Sequence, residues 1–378
     1  DLPHGELPLK MYRDRPLRKI IIYHCGFIKN AFSTLSLFRI SLYIAFMRKM
    51  IRIGAAVTLV FATLSIATAQ PSPRRWYKGN THTHTKNSDG DSPPADVVKW
   101  YANHKYNFLF MTDHEFLTPI APLNEQFGKT GEFVVMQGQE VTDSFDKKPH
   151  HLNGLGISRV CMPARSVVSS AANIQANVDC IRSAGGVPQL NHPNFGWALT
   201  AAEIQKVGNF GLMEIHNGHP LVNNLGGGGS PGAEEIWDTL LTAGRRIYGI
   251  ADDDSHAFKQ LNEIHLANPG RGWIFVRSPE LTQSAILAAI ERGDFYASTG
   301  VELADLRYVG KSLTVDIKEA RWSKYTINFI GRGGRVLKTT TTEPATYTTR
   351  GNEGYVRVKI IESNGKMAWT QPVFPVRK

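Results

Sequence analysis

Residues 76–114 read WYKGNTHTHTKNSDGDSPPADVVKWYANHKYNFLFMTDH and contain a complete strand–helix–strand unit. Two β-type runs, Tyr77 to His82 and Phe108 to Met111, flank a segment that Ser92-Pro93-Pro94 opens as a helix. Two parallel strands need a crossover connection of this kind. The stretch therefore predicts a parallel βα architecture, with polar residues gathered just beyond the strand ends.

The same alternation of β-type runs and helical segments continues to residue 254. Five further runs follow the first two: Phe133 to Gln137, Leu152 to Ile157, Val187 to Leu190, Gly211 to Ile215 and Ile247 to Ala251. Seven consecutive βα-like units predict an α/β barrel whose active site lies at the carboxyl ends of the strands.

The pattern of apolar and turn residues changes at about Val301. Short alternating runs such as Tyr325 to Ile330 and Tyr355 to Ile361 are separated by Gly/Asn turns, which is typical of a small antiparallel β-sandwich. We expect a barrel domain over residues 70–300 and a β-sandwich domain over residues 301–378. Glycan binding, packing on the barrel and dimerisation all remain open for the second domain, and the oligomeric state is open as well.

The formal net charge of +10 suggests a polyanion partner until its distribution is considered. Residues 1–69 carry +7 of it, and the remainder of the chain carries only +3. A nucleic-acid-binding surface on the later residues is therefore weakly supported.

Residues 47–69 have the three parts of a secretory signal: basic residues after Met47, an apolar run from Ala55 to Ala67, and small residues up to Ala69. The apolar run is shorter than the roughly 20 residues that span a bilayer. We expect cleavage near Ala69, a secreted or periplasmic protein, and no stable membrane span in the mature chain. Residues 1–46 are interpreted as upstream sequence translated in error or introduced artificially, and as an anchor only in second place.

Cys161 and Cys180 are the two cysteines that remain once the leader is removed. In an exported protein they could form a disulfide that closes a loop of about 20 residues. Two buried free thiols explain the sequence equally well. Neither cysteine lies in a CxxC pattern, which excludes zinc-ribbon and thioredoxin-like sites.

Histidines and acids recur at the predicted strand ends. His82 and His84 would point to the same side of a strand, so both imidazoles could bind one metal ion, with Asp89 returning from the next loop. Taken singly, each such group is more often a surface histidine, a helix cap or a solvated acid. Their shared placement at strand ends favours a metal site. The further members are His114, Glu140, His150, His151, His192 and the run Asp252-Asp253-Asp254-Ser255-His256.

The ordered motifs HTHTKNSDG, TDH, GQE, HLNGLGI, NHP and DDDSH resemble those of the PHP (polymerase and histidinol phosphatase) superfamily of metal-dependent phosphoesterases. The resemblance covers about Lys78 to His256 and implies a distorted seven-stranded barrel with two or three divalent metal ions. It implies three ligand groups: His82, His84, Glu140 and Asp254; Glu140, His151 and His192; Asp89, His114 and His256. Asp253 could replace Asp254, although the Asp-x-His spacing favours Asp254, and His150 could replace His151.

The resemblance also implies hydrolysis of a phosphomonoester or phosphodiester by a metal-activated hydroxide, with Glu140 and Asp254 as catalytic residues. From its position after strand six we also predict His216 as a catalytic residue, and His216, Asn217 and Arg271 as contacts to a small phosphorylated substrate; a polar barrel rim would explain His216 and Asn217 equally. Trp197 is a candidate wall of the pocket or a residue that packs on it. Mixed His/carboxylate ligation suits Mn, Fe or Zn. A nuclease of the same superfamily and an inactive metal-bound binding module are the alternatives.

Overall fold

The computed structural model describes residues 46–50, 74–166 and 168–375. The chain divides into two compact units, residues 1–70 and 71–378, and the fold described below belongs to the second. Residues 51–69, which hold most of the predicted export signal, lie outside the described residues. In the part of the chain that is described, no helix combines the length and apolarity of a membrane span.

Seven strands and six helices build the part of the molecule that contains the site. Each of the seven predicted β-type runs overlaps one of the strands. The strands are β1 Arg75–Asn80, β2 Phe108–Met111, β3 Val134–Phe145, β4 Lys148–Leu155, β5 Val187–Leu190, β6 Leu212–Asn217 and β7 Tyr248–Asp252. The helices are α1 Pro94–Asn103, α2 Ala121–Phe127, α3 Ser170–Ser183, α4 Ala201–Ile204, α5 Ala233–Thr242 and α6 Gln283–Glu291.

The strands lie side by side in chain order and form the predicted distorted α/β barrel. The expectation of seven parallel strands is wrong at β4, which runs antiparallel to both β3 and β5. Only Asp146 and Lys147 separate β3 from β4, and both have positive φ (50° and 62°), as a tight hairpin turn requires. Two residues cannot make a parallel crossover, so β4 begins at the end of the barrel where β3 ends.

The first and seventh strands of the barrel do not pair directly. β1 pairs with β2 and with a later strand, β8 (Trp273–Ser278), rather than with β7. Beyond the strand ends, however, Asp254 N donates to His82 O (3.0 Å) and His84 N donates to Ser255 O (2.9 Å). The segments that carry the predicted ligands therefore form the seam of the barrel themselves.

Buried side chains fill the space on both faces of the barrel strands. Phe110, Met136, Leu152, Leu190 and Ile250 are all fully buried in one apolar cluster, and Gln189 forms hydrogen bonds with buried acids inside the barrel. Because the barrel is packed rather than open, a ligand can reach it only at its rim.

The C-terminal strands extend the barrel sheet and form a sandwich with a second, three-stranded sheet. These strands are β8 Trp273–Ser278, β9 Phe295–Ser298, β10 Leu303–Val309, β11 Ser312–Ile317, β12 Tyr325–Gly331, β13 Arg335–Thr340, β14 Ala345–Thr348, β15 Arg357–Glu362 and β16 Met367–Thr370.

From β1 the extended sheet runs through β8, β9, β16, β15, β12 and β13, while β10, β11 and β14 form the other layer of the sandwich. Leu313, Val315, Ile327, Phe329 and Val358 lie in the core between the two sheets. The domain boundary at residue 301 stays a prediction.

A buried ion pair joins the sandwich to the barrel. Arg357 of β15, which is 1% exposed, donates from Nε to Asp238 Oδ1 (2.8 Å) and from Nη2 to Asp238 Oδ2 (2.7 Å) on α5. Its Nη2 also reaches Glu234 Oε1 at 2.8 Å, and Tyr355 OH donates to Asp238 Oδ1 at 2.7 Å. The two parts are thus held by paired charges as well as by a continuous sheet.

Cys161 and Cys180 form a disulfide between the loop after β4 and helix α3, with their Cα atoms 5.9 Å apart. A loop of this size contributes about 3 kcal/mol in the chain-entropy account. Gln139 binds the same loop, donating from Nε2 to Cys161 O (2.6 Å) and accepting from Cys161 N (2.9 Å). The loop is therefore attached to β3 directly beside Glu140.

Arg357→Met should lower the free energy of unfolding by about 3–5 kcal/mol, because it leaves the carboxylate of Asp238 buried without its partner. Adding Asp238→Asn and Glu234→Gln to this variant should recover much of the loss. Denaturant unfolding of the three proteins measures both effects. Equal stability of wild type and Arg357→Met would show that the pair does not hold the junction.

Candidate metal centre

Alternation along the first segment brings two imidazoles together. His82 and His84 point into the rim, while the intervening Thr83 points away and binds Ser255 Oγ at 2.6 Å. Thr83 N donates to Thr112 Oγ1 at 2.8 Å. These bonds hold the backbone between the two histidines in place.

Four donor atoms converge at the base of the rim. His82 Nε2 and His84 Nε2 lie 3.1 Å apart, and each is 3.1 Å from Glu140 Oε2 and 3.2 Å from Asp254 Oδ1. All four residues are buried. Atoms that bind one ion at about 2.0–2.2 Å lie roughly 3 Å from each other. The spacing is that of a metal site.

The other oxygen of Glu140 faces a second group. Oε1 lies 3.1 Å from His151 Nδ1 and 3.3 Å from His192 Nε2. The antiparallel course of β4 makes this possible, because it places His151 opposite Thr142, two residues beyond Glu140 on β3. Glu140 therefore stands between two groups, with one oxygen toward each.

A third group lies nearer to solvent. Asp89 Oδ1 lies 3.3 Å from His256 Nε2 and 3.6 Å from His84 Nδ1, and Asp89 Oδ2 lies 3.4 Å from His114 Nε2. The Asp89 side chain is 55% exposed, in contrast to the buried carboxylates of the other two groups. The nine predicted ligands thus come together in three adjoining groups.

The electrostatics of the site fit cations. Burial by itself would raise the pKa of Glu140, but the imidazoles of His82, His114 and His151 lower it well below its ordinary value. Burial opposes ionisation of Asp254 in the same way, and His82 and His84 lower its pKa well below the ordinary value. Ionised carboxylates and imidazoles at these spacings are the donor set that Mn, Fe and Zn share.

Both open ligand choices are resolved by position. Asp253 turns away and accepts from Tyr101 OH (2.8 Å) and Arg271 N (2.6 Å), so Asp254 is the acid at the centre. His150 points the other way along β4, with Nδ1 2.9 Å from Asn173 Oδ1 on α3. His151 is therefore the histidine that meets Glu140.

A buried layer behind the centre was not predicted. Glu214 Oε1 accepts from His82 Nδ1 at 2.7 Å, which leaves Nε2 of that ring free to bind metal. Gln189 Nε2 donates to Glu214 Oε1 (3.1 Å) and to Asp252 Oδ2 (2.9 Å). Burial and the charge of Glu214 raise the pKa of Asp252 well above its ordinary value. The sequence signal was an acid in the middle of an apolar run, at Glu214.

Asp113, the residue before His114, has a structural role. Its oxygens accept from Thr85 N (2.7 Å), Ser88 Oγ (2.8 Å) and Thr118 Oγ1 (2.5 Å). It therefore holds the loop that carries Asp89.

A small cavity of about 130 Å³ opens onto the three groups. Two of its lining residues, Phe195 and His219, were not predicted as site residues. His219 belongs to none of the metal-binding groups found among the described residues. The remaining lining residues are Asp89, His114, Glu140, His151, His192, Asp254 and His256.

His216, predicted as a catalytic and substrate-binding residue, does not line this cavity. In a regular strand Glu214 and His216 would share a face, but the register of β6 with β7 shifts between them. His216 consequently stacks on Trp369 (ring centroids 6.0 Å apart), and burial lowers its pKa to about 4. The shift brings Asn217 to the centre instead.

Two other predicted substrate contacts are occupied within the protein. Asn217 Nδ2 donates to Asp254 Oδ2 (3.1 Å) and Glu214 Oε2 (2.8 Å), so it supports the ligand rather than lining the cavity. Arg271 donates from Nη1 to Gly218 O (2.9 Å) and from Nη2 to Glu263 O (2.7 Å). Trp197 is 43% exposed beside the cavity and does not line it.

Comparison with known proteins gives similarity only at the level of structure. No family model matches the chain, and no curated protein matches it. A two-domain protein from Bacteroides vulgatus ATCC 8482, described as containing a predicted PHP-like metal-dependent phosphoesterase, is 14% identical; 80% of this chain and 96% of that chain are covered, with a TM-score of 0.49. An amidohydrolase from Chromobacterium violaceum, with bound sulfate and no metal, is 16% identical, with 50% and 93% covered and a TM-score of 0.35. At these values the function has to be argued from the site.

His151→Ala should lose about one equivalent of bound metal, because it removes one of the three side chains of the second group. His150→Ala is the matched control: its neighbouring imidazole faces α3, so metal content should stay at the wild-type level. Elemental analysis of the purified proteins measures both. Equal metal loss in the two variants, or none in His151→Ala, would contradict the assignment.

Proposed function

We propose that this chain is a metal-dependent phosphoesterase of the PHP superfamily, acting on a small phosphorylated substrate. The observation that carries the proposal is the position of Glu140, whose two oxygens face two different groups of imidazole and carboxylate ligands. A carboxylate in this position can bridge two ions. Paired ions of this kind are typical of enzymes that displace an alcohol from phosphorus.

The residues of the three groups would hold two or three divalent cations, Mn, Fe or Zn. When bound, such ions lower the pKa of a water molecule and attract the oxygens of a phosphoryl group. Glu214 holds the His82 ring with Nε2 toward the other three donor atoms of the first group, and Asn217 holds the Asp254 carboxylate there, so both would face a bound ion. The protein thus supplies an ordered set of ligands before substrate arrives.

His219 is well placed to contact the substrate. Its Nδ1 accepts a hydrogen bond from Leu221 N at 3.2 Å, so the ring proton resides on Nε2. A ring fixed in this tautomer donates a hydrogen bond but does not release its proton. We infer that Nε2 donates to a phosphoryl oxygen in the cavity.

The dimensions of the cavity favour a small ester over a nucleic acid. Its 130 Å³ is below the range of about 300–1,000 Å³ of typical ligand cavities, so it suits a phosphoryl group better than a whole ligand. Neither Lys nor Arg is among its lining residues, whereas nucleic-acid sites are usually basic. A nuclease is therefore the weaker proposal.

Export to an oxidising compartment is part of the proposal. It rests on the signal-like residues 47–69 and on the pairing of Cys161 with Cys180, since disulfides persist mainly outside the cytosol.

Chelation should abolish phosphoester hydrolysis, and added Mn, Fe or Zn should restore it. The reason is that no Lys or Arg lines the cavity, so a bound metal ion would have to polarise the phosphoryl group. The measurement is a screen of phosphomonoesters and phosphodiesters before and after removal and reloading of metal. A fully metallated protein that hydrolyses none of them would favour the inactive binding module.

His219→Ala should reduce kcat/KM by about 10- to 100-fold, the usual cost of one hydrogen bond to a charged group. Metal content should not change, and His219→Gln should recover part of the loss because its amide N–H lies near the position of Nε2. The acid side of the pH profile should keep its shape, since the ring is not a proton donor. Loss of metal in His219→Ala would make it a ligand instead.

A further inference from the structure

Exposed apolar side chains follow the cavity at a fixed spacing. His114, Phe195 and His219 line the cavity, and two residues after each comes an apolar side chain. These three side chains are Phe116 (42% exposed), Trp197 (43%) and Leu221 (65%). Two residues span at most about 7 Å, so the backbone of each of the three lies within that distance of a residue that lines the cavity. They are called the apolar rim below.

A further exposed apolar side chain, Ile264 in the loop after β7, is 75% exposed. Leu225, in the loop after β6, is 87% exposed but lines a separate cavity together with Arg357 and Trp369. Single exposed apolar residues are common, but several that follow the lining residues of one cavity favour a binding surface.

Trp197 is held in a costly conformation. Its φ is +53°, a region that bulky side chains rarely adopt. Such strain often accompanies functional sites. A second tryptophan with these two features, Trp322 (φ +69°, 85% exposed), lies in the turn before β12. The positive φ of Trp197 therefore supports a binding role only in combination with the position of Trp197 two residues after Phe195, which lines the cavity.

The charges of the residues that line the cavity indicate which chemical groups a ligand can carry beside its phosphoryl group. The charged lining residues are Asp89, Glu140 and Asp254, and each belongs to a metal-binding group. With no Lys or Arg among the lining residues, the cavity offers a second anionic group of a substrate no ion-pair partner. An uncharged, apolar group is the better match for the surface beyond the metal centre.

We propose that the substrate is a phosphoester of an apolar alcohol, whose alkyl or aryl group lies against the apolar rim while its phosphoryl group enters the cavity. This rests on the proposed phosphoesterase function and names its substrate class. Burial of each methylene contributes up to about a four-fold gain in affinity, and roughly two-fold where one side stays in water.

The test measures binding of n-alkylphosphonates, from methyl to hexyl, to the metal-loaded protein by calorimetry. These compounds are not hydrolysed, so the result does not depend on turnover. Affinity should rise about two-fold per methylene, or roughly 30-fold across the series. The triple variant Phe116→Ser, Trp197→Ser, Leu221→Ser should reduce this rise to a few-fold. Trp322→Ser, the matched control, should keep the whole rise.

Each outcome separates the two proposals. A flat series in the wild type, or a rise that survives in the triple variant, overturns the apolar substrate. Co-sedimentation with phosphatidylcholine vesicles combined with a flat soluble series also overturns it and assigns the rim to a membrane surface. A graded series in a protein that hydrolyses no phosphoester keeps apolar binding at the rim and removes the phosphoesterase function.

Discussion

The constraint on which this structure depends is the burial of the Glu140 carboxylate among imidazoles. A buried carboxylate is costly unless it is paired, and Glu140 is 1% exposed. Its two oxygens lie within 3.3 Å of nitrogens from His82, His84, His114, His151 and His192. These histidines come from three strand ends and one strand start, so much of the rim has to be in place before this one charge is compensated.

The architecture of the barrel follows this requirement. Closure beyond β1 and β7 is made by the backbone of the segments that carry His82, His84 and Asp254. His151 lies near the start of β4, and the antiparallel direction of β4 brings that start to the edge of the barrel where the other ligands lie. In a parallel strand the start would lie at the opposite edge. The two departures from a regular barrel, the missing β1–β7 pairing and the antiparallel β4, therefore both occur at segments that carry candidate metal ligands.

The supporting layers show how the remaining buried charges are tolerated. Glu214 pairs with His82, Asp252 accepts a hydrogen bond from Gln189 while burial and Glu214 raise its pKa, and Asp238 pairs with Arg357 at the junction with the sandwich. Every one of these acids has a partner from a different element of the chain. The disulfide and Gln139 add a further attachment beside Glu140. Stability and site geometry thus share the same contacts.

The sequence by itself determined the positions of the strands, the opening of α1, the alternating β pattern after residue 301 and the order of the ligand motifs. These depend on periodicity, turn residues and residue types that act over a few positions. The disulfide stayed one of two equal readings, because spacing alone does not bring two sulfurs together.

Only the tertiary structure decided between Asp253 and Asp254 and between His150 and His151. Neighbouring residues in an extended chain face opposite sides, and which side is the site depends on the partner strand. The same holds for His216, which a register shift in β6 turns away from the cavity, and for His219, which a loop returns to it. Strand direction, register and loop course are set by contacts between distant segments, which no local pattern contains.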